Sequence, residues 1–216
     1  ELAASFNAMA ERVETLIRSR DELVQAVSHE LGSPLSRIRF HIALLEKQPE
    51  EKRTERLEAM SRELDALDAL VAELLRYVQS DEIELDRKQF DPRSTLRDLA
   101  EVTRLEAPQD RKMKVEVQLP DEATVYADPP QFQRAVENLL RNATRHARGQ
   151  VLLEITKEPE HVCVTVHDDG PGIPQELHEK VKSPFYRIDE DRGRETGGVG
   201  LGLAIVSRIM DRHGGH

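Results

Sequence analysis

Along the first 80 residues, apolar side chains recur at steps of three and four. One series runs Leu2, Phe6, Met9, Val13, Leu16, then Leu23, Val27, Leu31, Leu35, Ile38, Ile42 and Leu45; a second runs Leu57, Met60, Leu64, Leu67, Val71, Leu74 and Val78. That spacing follows one face of an α-helix and approaches a heptad seam. The polar break at Gln48-Pro49-Glu50 is short, which makes the two helices antiparallel neighbours. A hairpin with one apolar stripe per helix cannot bury both stripes by itself, so the pattern predicts a dimeric four-helix bundle formed by two chains. Ser19, Arg20 and Asp21 interrupt the first stripe. Residues 1–22 therefore read as a helical input, and residues 23–82 as the hairpin proper.

The pattern changes from residue 83 onward, where most of the Pro and Gly fall. Asp91-Pro92 predicts a helix start, with the helix running to about Glu106. Met113–Leu119 and Thr124–Ala127 alternate as strands do. Asp128-Pro129-Pro130 combines a carboxylate N-cap with proline at the first helical position, and the helix it opens should reach about Ala147. Val151–Thr156 and Val162–Val166 predict a strand pair, and Leu201 to about Arg212 a last helix. Strands and helices in this order imply one sheet covered by helices on one face. The expected class is α followed by α+β.

Composition narrows the function. The formal net charge of −10 argues against nucleic-acid binding, which depends on neutralising phosphates with Lys and Arg. No apolar run approaches the ~20 residues of a membrane span. The single cysteine, Cys163, excludes a disulfide framework and a thiolate metal site; its place in an alternating strand suits a buried, inert thiol.

Three constellations carry chemistry. The first is Ser28-His29-Glu30-Leu31-Gly32-Ser33-Pro34. His29 lies two residues from each of the seam positions Val27 and Leu31, about 200° around the axis, and so points to solvent. Glu30 can hold the Nδ1 proton and leave Nε2 as a nucleophile. Pro34 removes one helical amide, which predicts a bend one turn beyond His29. The second constellation is Asn138 and Asn142, four apart on one helical face, where an amide oxygen suits Mg²⁺ shared with substrate phosphates. The third is glycine-rich: Asp168-Asp169-Gly170-Pro171-Gly172, and Gly197-Gly198-Val199-Gly200-Leu201-Gly202 opening the last helix. Glycines before a helix let backbone amides reach phosphate oxygens. A carboxylate at a strand end could accept an adenine amine.

In this order and spacing, the blocks resemble the cytoplasmic half of a bacterial two-component sensor histidine kinase. Residues around His29 resemble the phosphoacceptor H box, Asn138–His146 the N box, Asp168–Gly172 the first glycine box, Pro184-Phe185-Tyr186-Arg187 the F box, and Gly198–Leu203 the second glycine box. Residues 1–10 resemble the end of a HAMP linker. The resemblance implies a signalling helix at 1–22 and a dimerisation and histidine-phosphotransfer hairpin at 23–82. Residues 83–216 would form an α/β sandwich ATP-binding domain of the gyrase, Hsp90 and histidine kinase type. That domain would be truncated at its C-terminus, since the family continues into a last strand pair. Sensor and membrane spans would lie upstream of Glu1, making this a soluble cytoplasmic portion of an inner-membrane protein.

The same resemblance assigns roles. His29 would be the phosphoacceptor and Glu30 its orienting acid/base. Asn142 would ligate Mg²⁺, with Asn138, Arg145 and His146 around the phosphates and nucleotide. Asp168 would receive the adenine amine, and Gly170 and Gly172 would join it in binding the nucleotide. Arg187 and the amides near Gly198, Gly200, Leu201 and Gly202 would surround the triphosphate, with residues 187–197 as a mobile lid. ATP and Mg²⁺ are the implied cofactors. A second copy of the chain and a response regulator receiver domain are the implied partners. Family members often carry Arg-Thr or Arg-Asn where this chain has Gly32-Ser33; the Ser33 hydroxyl stands where the family positions a water to dephosphorylate the regulator. A signalling adaptor with a silent nucleotide domain would not require His29, Asn142, Asp168 and both glycine stretches together.

Overall fold

The computed structural model describes residues 2–45, 53–79, 84–107, 113–158, 161–188 and 199–215. The chain divides into two units, Glu1–Arg76 and Tyr77–His216.

The first unit is the expected hairpin: α1 (Leu2–Leu45) and α2 (Arg53–Gln79). The Pro49 turn lies outside the described residues. Two side-chain contacts fix the antiparallel direction. Arg37 binds Glu63 through Nε–Oε1 and Nη2–Oε2, both at 2.7 Å, and Arg56 Nη1 lies 3.2 Å from His41 Nδ1. The helix continues unbroken through Pro34. A proline removes only one N–H and crowds one carbonyl, so the hydrogen bonds on either side keep the helix continuous.

Burial splits the apolar seam by heptad position. Leu31, Ile38 and Leu45 on α1, and Met60, Leu67 and Leu74 on α2, are half-buried. Leu35 and Ile42, and Leu57, Leu64, Val71 and Val78, remain exposed. Each set repeats every seven residues. One heptad position is thus covered within the hairpin while the other faces outward.

The second unit contains β1 (Lys88–Phe90), α3 (Arg93–Glu106), β2 (Lys114–Gln118), β3 (Val125–Ala127), α4 (Pro129–His146), β4 (Gln150–Lys157), β5 (Val162–Asp168) and α5 (Gly202–His213). Where one sheet was expected, the described strands form two. β1 pairs antiparallel with β3, Gln89 opposite Tyr126. β2 runs parallel to β4, Val115 opposite Val151, and β4 antiparallel to β5, Leu153 opposite Val166. β1 is only three residues long, too short for alternation to reveal.

Helices cover one face of the larger sheet. Leu96, Leu99 and Ala100 of α3 and Val136, Leu140 and Ala143 of α4 pack on Val115, Val151, Leu153 and Ile155. Leu96 and Leu153 are fully buried, each worth about 2 kcal/mol in removed apolar surface. The opposite sheet face is polar, with Glu154 and His167 paired at 2.8 Å. α4 has a second buried side, where Ala135 packs with Leu201, Ile205 and Ile209 at α5. Asp128 caps α4 as its sequence predicts, accepting the Gln131 N–H at 3.0 Å.

Candidate functional site

His29 stands on α1 with its side chain 75% exposed, as the helical phase required. Its Nδ1 lies 3.6 Å from Glu30 Oε1, close enough for electrostatic attraction but beyond a direct hydrogen bond. Ser28, the residue before it, turns its hydroxyl back to the Val24 carbonyl at 2.8 Å. One turn beyond His29, Ser33 Oγ accepts from Arg37 Nη1 at 3.3 Å. Since Arg37 also grips Glu63, the H-box serine is tied to α2. A Cβ at Gly32 would meet nothing within 4 Å, leaving the helix surface beside His29 open.

In the second unit, the two amides of α4 do not form an ordinary polar helix surface. Asn138 is only 6% exposed. Its Nδ2 donates to the Arg134 carbonyl at 2.8 Å and its Oδ1 accepts from Arg141 Nη2 at 2.6 Å. A Cβ placed on Gly202 would sit 3.5 Å from that Oδ1, so Asn138 faces the start of α5. Asn142 is half-buried one turn further along the same face. Among the described residues no side chain caps the start of α5, so its first amides suit an anion.

Asp168 ends β5, and its Oδ1 accepts the Gly170 N–H at 2.8 Å. A Cβ on Gly170 would stand 2.5 Å from that oxygen and 2.7 Å from the His146 carbonyl. Only glycine lets this turn close against the end of α4. Gly172 has φ +71°, the left-handed region that favours glycine. His146, Arg145 and Asp168 sense one another electrostatically. Partial burial and the Arg145 charge hold the His146 imidazole below its usual pKa, and the Asp168 carboxylate pulls the other way.

The F box and second glycine box meet backbone to backbone. Phe185 donates its N–H to the Gly200 carbonyl at 2.9 Å. A Cβ on Gly200 would lie 2.8 Å from the Phe185 carbonyl carbon, and Gly200 has φ +79°. Phe185 itself has φ 63°, unusual for a bulky residue; strain of this kind persists only where its surroundings impose it. Arg187 is half-buried, with Nη2 enclosed and without a hydrogen-bond partner among the described residues. Leu201 is fully buried, so only its backbone can serve a ligand. Gly198 and residues 189–197 of the expected lid lie outside the described residues.

Comparison with known families matches residues 19–83 to the His Kinase A (phospho-acceptor) domain. Residues 127–216 match the Histidine kinase-, DNA gyrase B-, and HSP90-like ATPase family. The chain is 34% identical over 226 residues to the sensor histidine kinase CpxA of Escherichia coli K12, covering 98% of this chain and 46% of that protein. The chain belongs to the sensor histidine kinases. The sensor protein RstB of the same organism is 33% identical over 217 residues, with 99% and 48% covered. The chain thus spans about half the length of these relatives. Among solved structures, full-length ShkA in complex with AMPPNP is 26% identical with a TM-score of 0.62, covering 94% of this chain and 41% of that one. Acinetobacter baumannii AdeS shares the fold at a TM-score of 0.63 and 21% identity, with 84% and 85% covered.

Two residues that brace the site carry little signal in the sequence. Asp169 Oδ1 accepts three backbone N–H groups, from Arg148 at 2.7 Å and from Gly149 and Gln150 at 3.1 Å each. These bonds depress its pKa and staple the first glycine turn to the start of β4. His213 closes α5 onto Asp128. The Asp-Asp-Gly triplet offered a signal for Asp169, since such residues favour turns; His213 offered none, its partner lying 85 positions away.

Proposed function

We propose that the chain autophosphorylates His29 from ATP and passes the phosphoryl group to an aspartate of a response regulator. The observation that carries this reading is the exposed imidazole of His29 on a continuous helix, in a chain whose other unit holds a glycine-cradled carboxylate at a strand end. The residues present suit a purine nucleotide. Gly170 admits no side chain between Asp168 and the His146 carbonyl, which leaves the outer Asp168 carboxylate oxygen for an exocyclic amine. The uncapped start of α5 beside Asn138 suits phosphates. Arg187, whose Nη2 has no hydrogen-bond partner among the described residues, and Arg145 supply positive charge.

Asn142 would hold Mg²⁺, supported by Asn138; the ion, when bound, neutralises phosphate charge. Phosphoryl transfer passes through a loose transition state, so these residues act mainly by placing donor and acceptor in line. The Nε2 lone pair of His29 forms a bond to the γ-phosphorus while the bond to the bridging oxygen breaks, and ADP leaves with that electron pair. Glu30 steadies the ring through Nδ1. The regulator's carboxylate then takes the phosphoryl group from Nε2. The Ser33 hydroxyl, held by Arg37, orients a water that later hydrolyses the regulator's aspartyl phosphate. The outward heptad positions of the hairpin dock on a second copy to complete a four-helix bundle. We read the chain as the cytoplasmic half of a membrane sensor; among the described residues no helix is long and apolar enough to cross a membrane.

Incubation with labelled ATP and Mg²⁺ tests the reading. Phosphate that survives alkali and is lost in acid is expected in the parent and absent from His29→Gln. Label retained in that variant excludes the assigned acceptor.

A further inference from the structure

α5 starts at the glycine turn assigned above to phosphate binding and ends twelve residues later, about 18 Å away at 1.5 Å per residue. Its far end is held by a specific set of bonds. His213 Nδ1 lies 2.7 Å from the Ile209 carbonyl oxygen, an acceptor, so Nδ1 carries the proton. Nε2 then has a free lone pair, and it accepts the Asp128 N–H at 3.1 Å. Asp128 is 5% exposed and serves two further partners. Its Oδ1 accepts from Gln131 N–H at 3.0 Å, closing the first turn of α4, and its Oδ2 accepts from Asp86 N–H at 2.9 Å. Arg87, the next residue, donates to the Arg212 carbonyl. One buried residue therefore joins the start of α4, the end of α5 and the segment entering β1.

The two helices run antiparallel, with Asn138 facing Gly202 at one end and Asp128 bonded to His213 at the other. Between these points the contact is made by Ala135, Ile205 and Ile209. Such apolar contact is non-directional and resists separation better than sliding. A directional bond is what fixes the register of α5 along α4. Any slip in that register displaces the Gly200–Gly202 amides relative to Asn138 and Asn142, because a helix moves as one body.

We propose that His213 is a positioning residue for the nucleotide site: by accepting the Asp128 N–H it sets the register of α5 on α4. This rests on the reading of that turn as the nucleotide site. Reciprocity then requires that nucleotide tighten the His213–Asp128 bond.

The test uses the full chain, mant-ADP as probe, and thermal unfolding to confirm that each variant is folded at the assay temperature. His213→Leu is expected to weaken mant-ADP binding about tenfold, while His213→Gln, whose amide oxygen can replace Nε2 as acceptor, stays within about twofold of the parent. A His213→Leu protein that melts earlier yet binds mant-ADP as tightly as the parent overturns the proposal, since the bond would then serve stability alone. Should His213→Leu fail to fold, amide exchange in the parent decides. Saturation with mant-ADP is expected to slow exchange of the Asp128 N–H several-fold, together with that of Gly202. Slowing at Gly202 with Asp128 unchanged overturns the proposal and leaves the nucleotide site standing. A folded parent that does not bind mant-ADP removes both.

Discussion

The two units meet the same physical requirement in opposite ways. The second unit closes an apolar core within one chain, with Leu96 and Leu153 at 0% exposure. The hairpin leaves Phe40 61% and Leu57 56% exposed, and every seventh residue of its outward seam meets solvent. A nucleotide site needs rigid walls, and the second unit has them in one copy. Under the proposed function, a phosphoacceptor has to be presented to other domains, and a helix whose outward seam docks on a second copy would present it well. Side-chain bonds follow the same division. Side-chain carboxylates of the second unit tie distant segments together through backbone groups, as at Asp128 and Asp169, whereas the bonds between the two hairpin helices join long side chains, as Arg37 to Glu63.

The sharpest way to break this contrast is to hollow the self-sufficient unit. Leu153→Ala should cost about 2–5 kcal/mol, as expected when a fully buried leucine is removed from a close-packed core. Hydrogen exchange of β4 amides should report it, while helicity of the hairpin is unchanged; a loss below about 1 kcal/mol would show the core to be looser than described. Next in size is Leu64→Ala on the outward seam. Both copies lose the side chain, so the proposed dimer should weaken by about 1–3 kcal/mol, roughly five- to 150-fold in its dissociation constant, with no change in exchange at β4. Light scattering across a dilution series measures this, and an unaltered dimer would place the interface elsewhere.

Smaller still is Arg37→Gln. The pair with Glu63 is bidentate but partly exposed, with Arg37 at 43%, so the thermal stability of the hairpin should fall by less than about 1 kcal/mol. Dephosphorylation of the regulator should fall further than that loss explains, since Ser33 loses its donor. An equal effect in a Ser33→Ala background would show that Arg37 does not act through Ser33. The smallest effect is expected at Asp91. The Arg93 side chain, then its backbone N–H, hold this exposed carboxyl at about 2, below its ordinary 3.8. A depressed folded value means that its contribution is present above 3.8 and lost as pH falls toward about 2. The difference in melting temperature between the parent and Asp91→Asn should therefore shrink across that interval. A difference independent of pH would contradict the assignment.

What could be read from the residues was local. Asp128-Pro129-Pro130 announced α4 because its cap and its first-turn proline are adjacent in sequence, and the seam of the hairpin was visible because a helical face is a short-range repeat. His29 was placed in solvent by phase alone. Long-range bonds left no such trace. The division into two sheets depends on β1, three residues that pair with β3 far along the chain, Lys88 opposite Ala127 and Phe90 opposite Val125. The clamp between Phe185 and Gly200, the staple at Asp169 and the bond from His213 to Asp128 likewise join segments whose partners no local pattern names. Asn138 illustrates the boundary: its spacing from Asn142 was plain, but only the fold shows that its face is buried against α5.

The central claim is that one solvent-facing imidazole accepts phosphate from a nucleotide bound by the second unit. It is tested most directly by digesting the ATP-treated chain at neutral pH and locating the phosphate by peptide mass spectrometry. The account predicts a single labelled peptide with the phosphoryl group on His29, and none when Asp168→Asn removes the adenine acceptor. Phosphate on a serine, on another histidine, or on His29 undiminished in Asp168→Asn would contradict it.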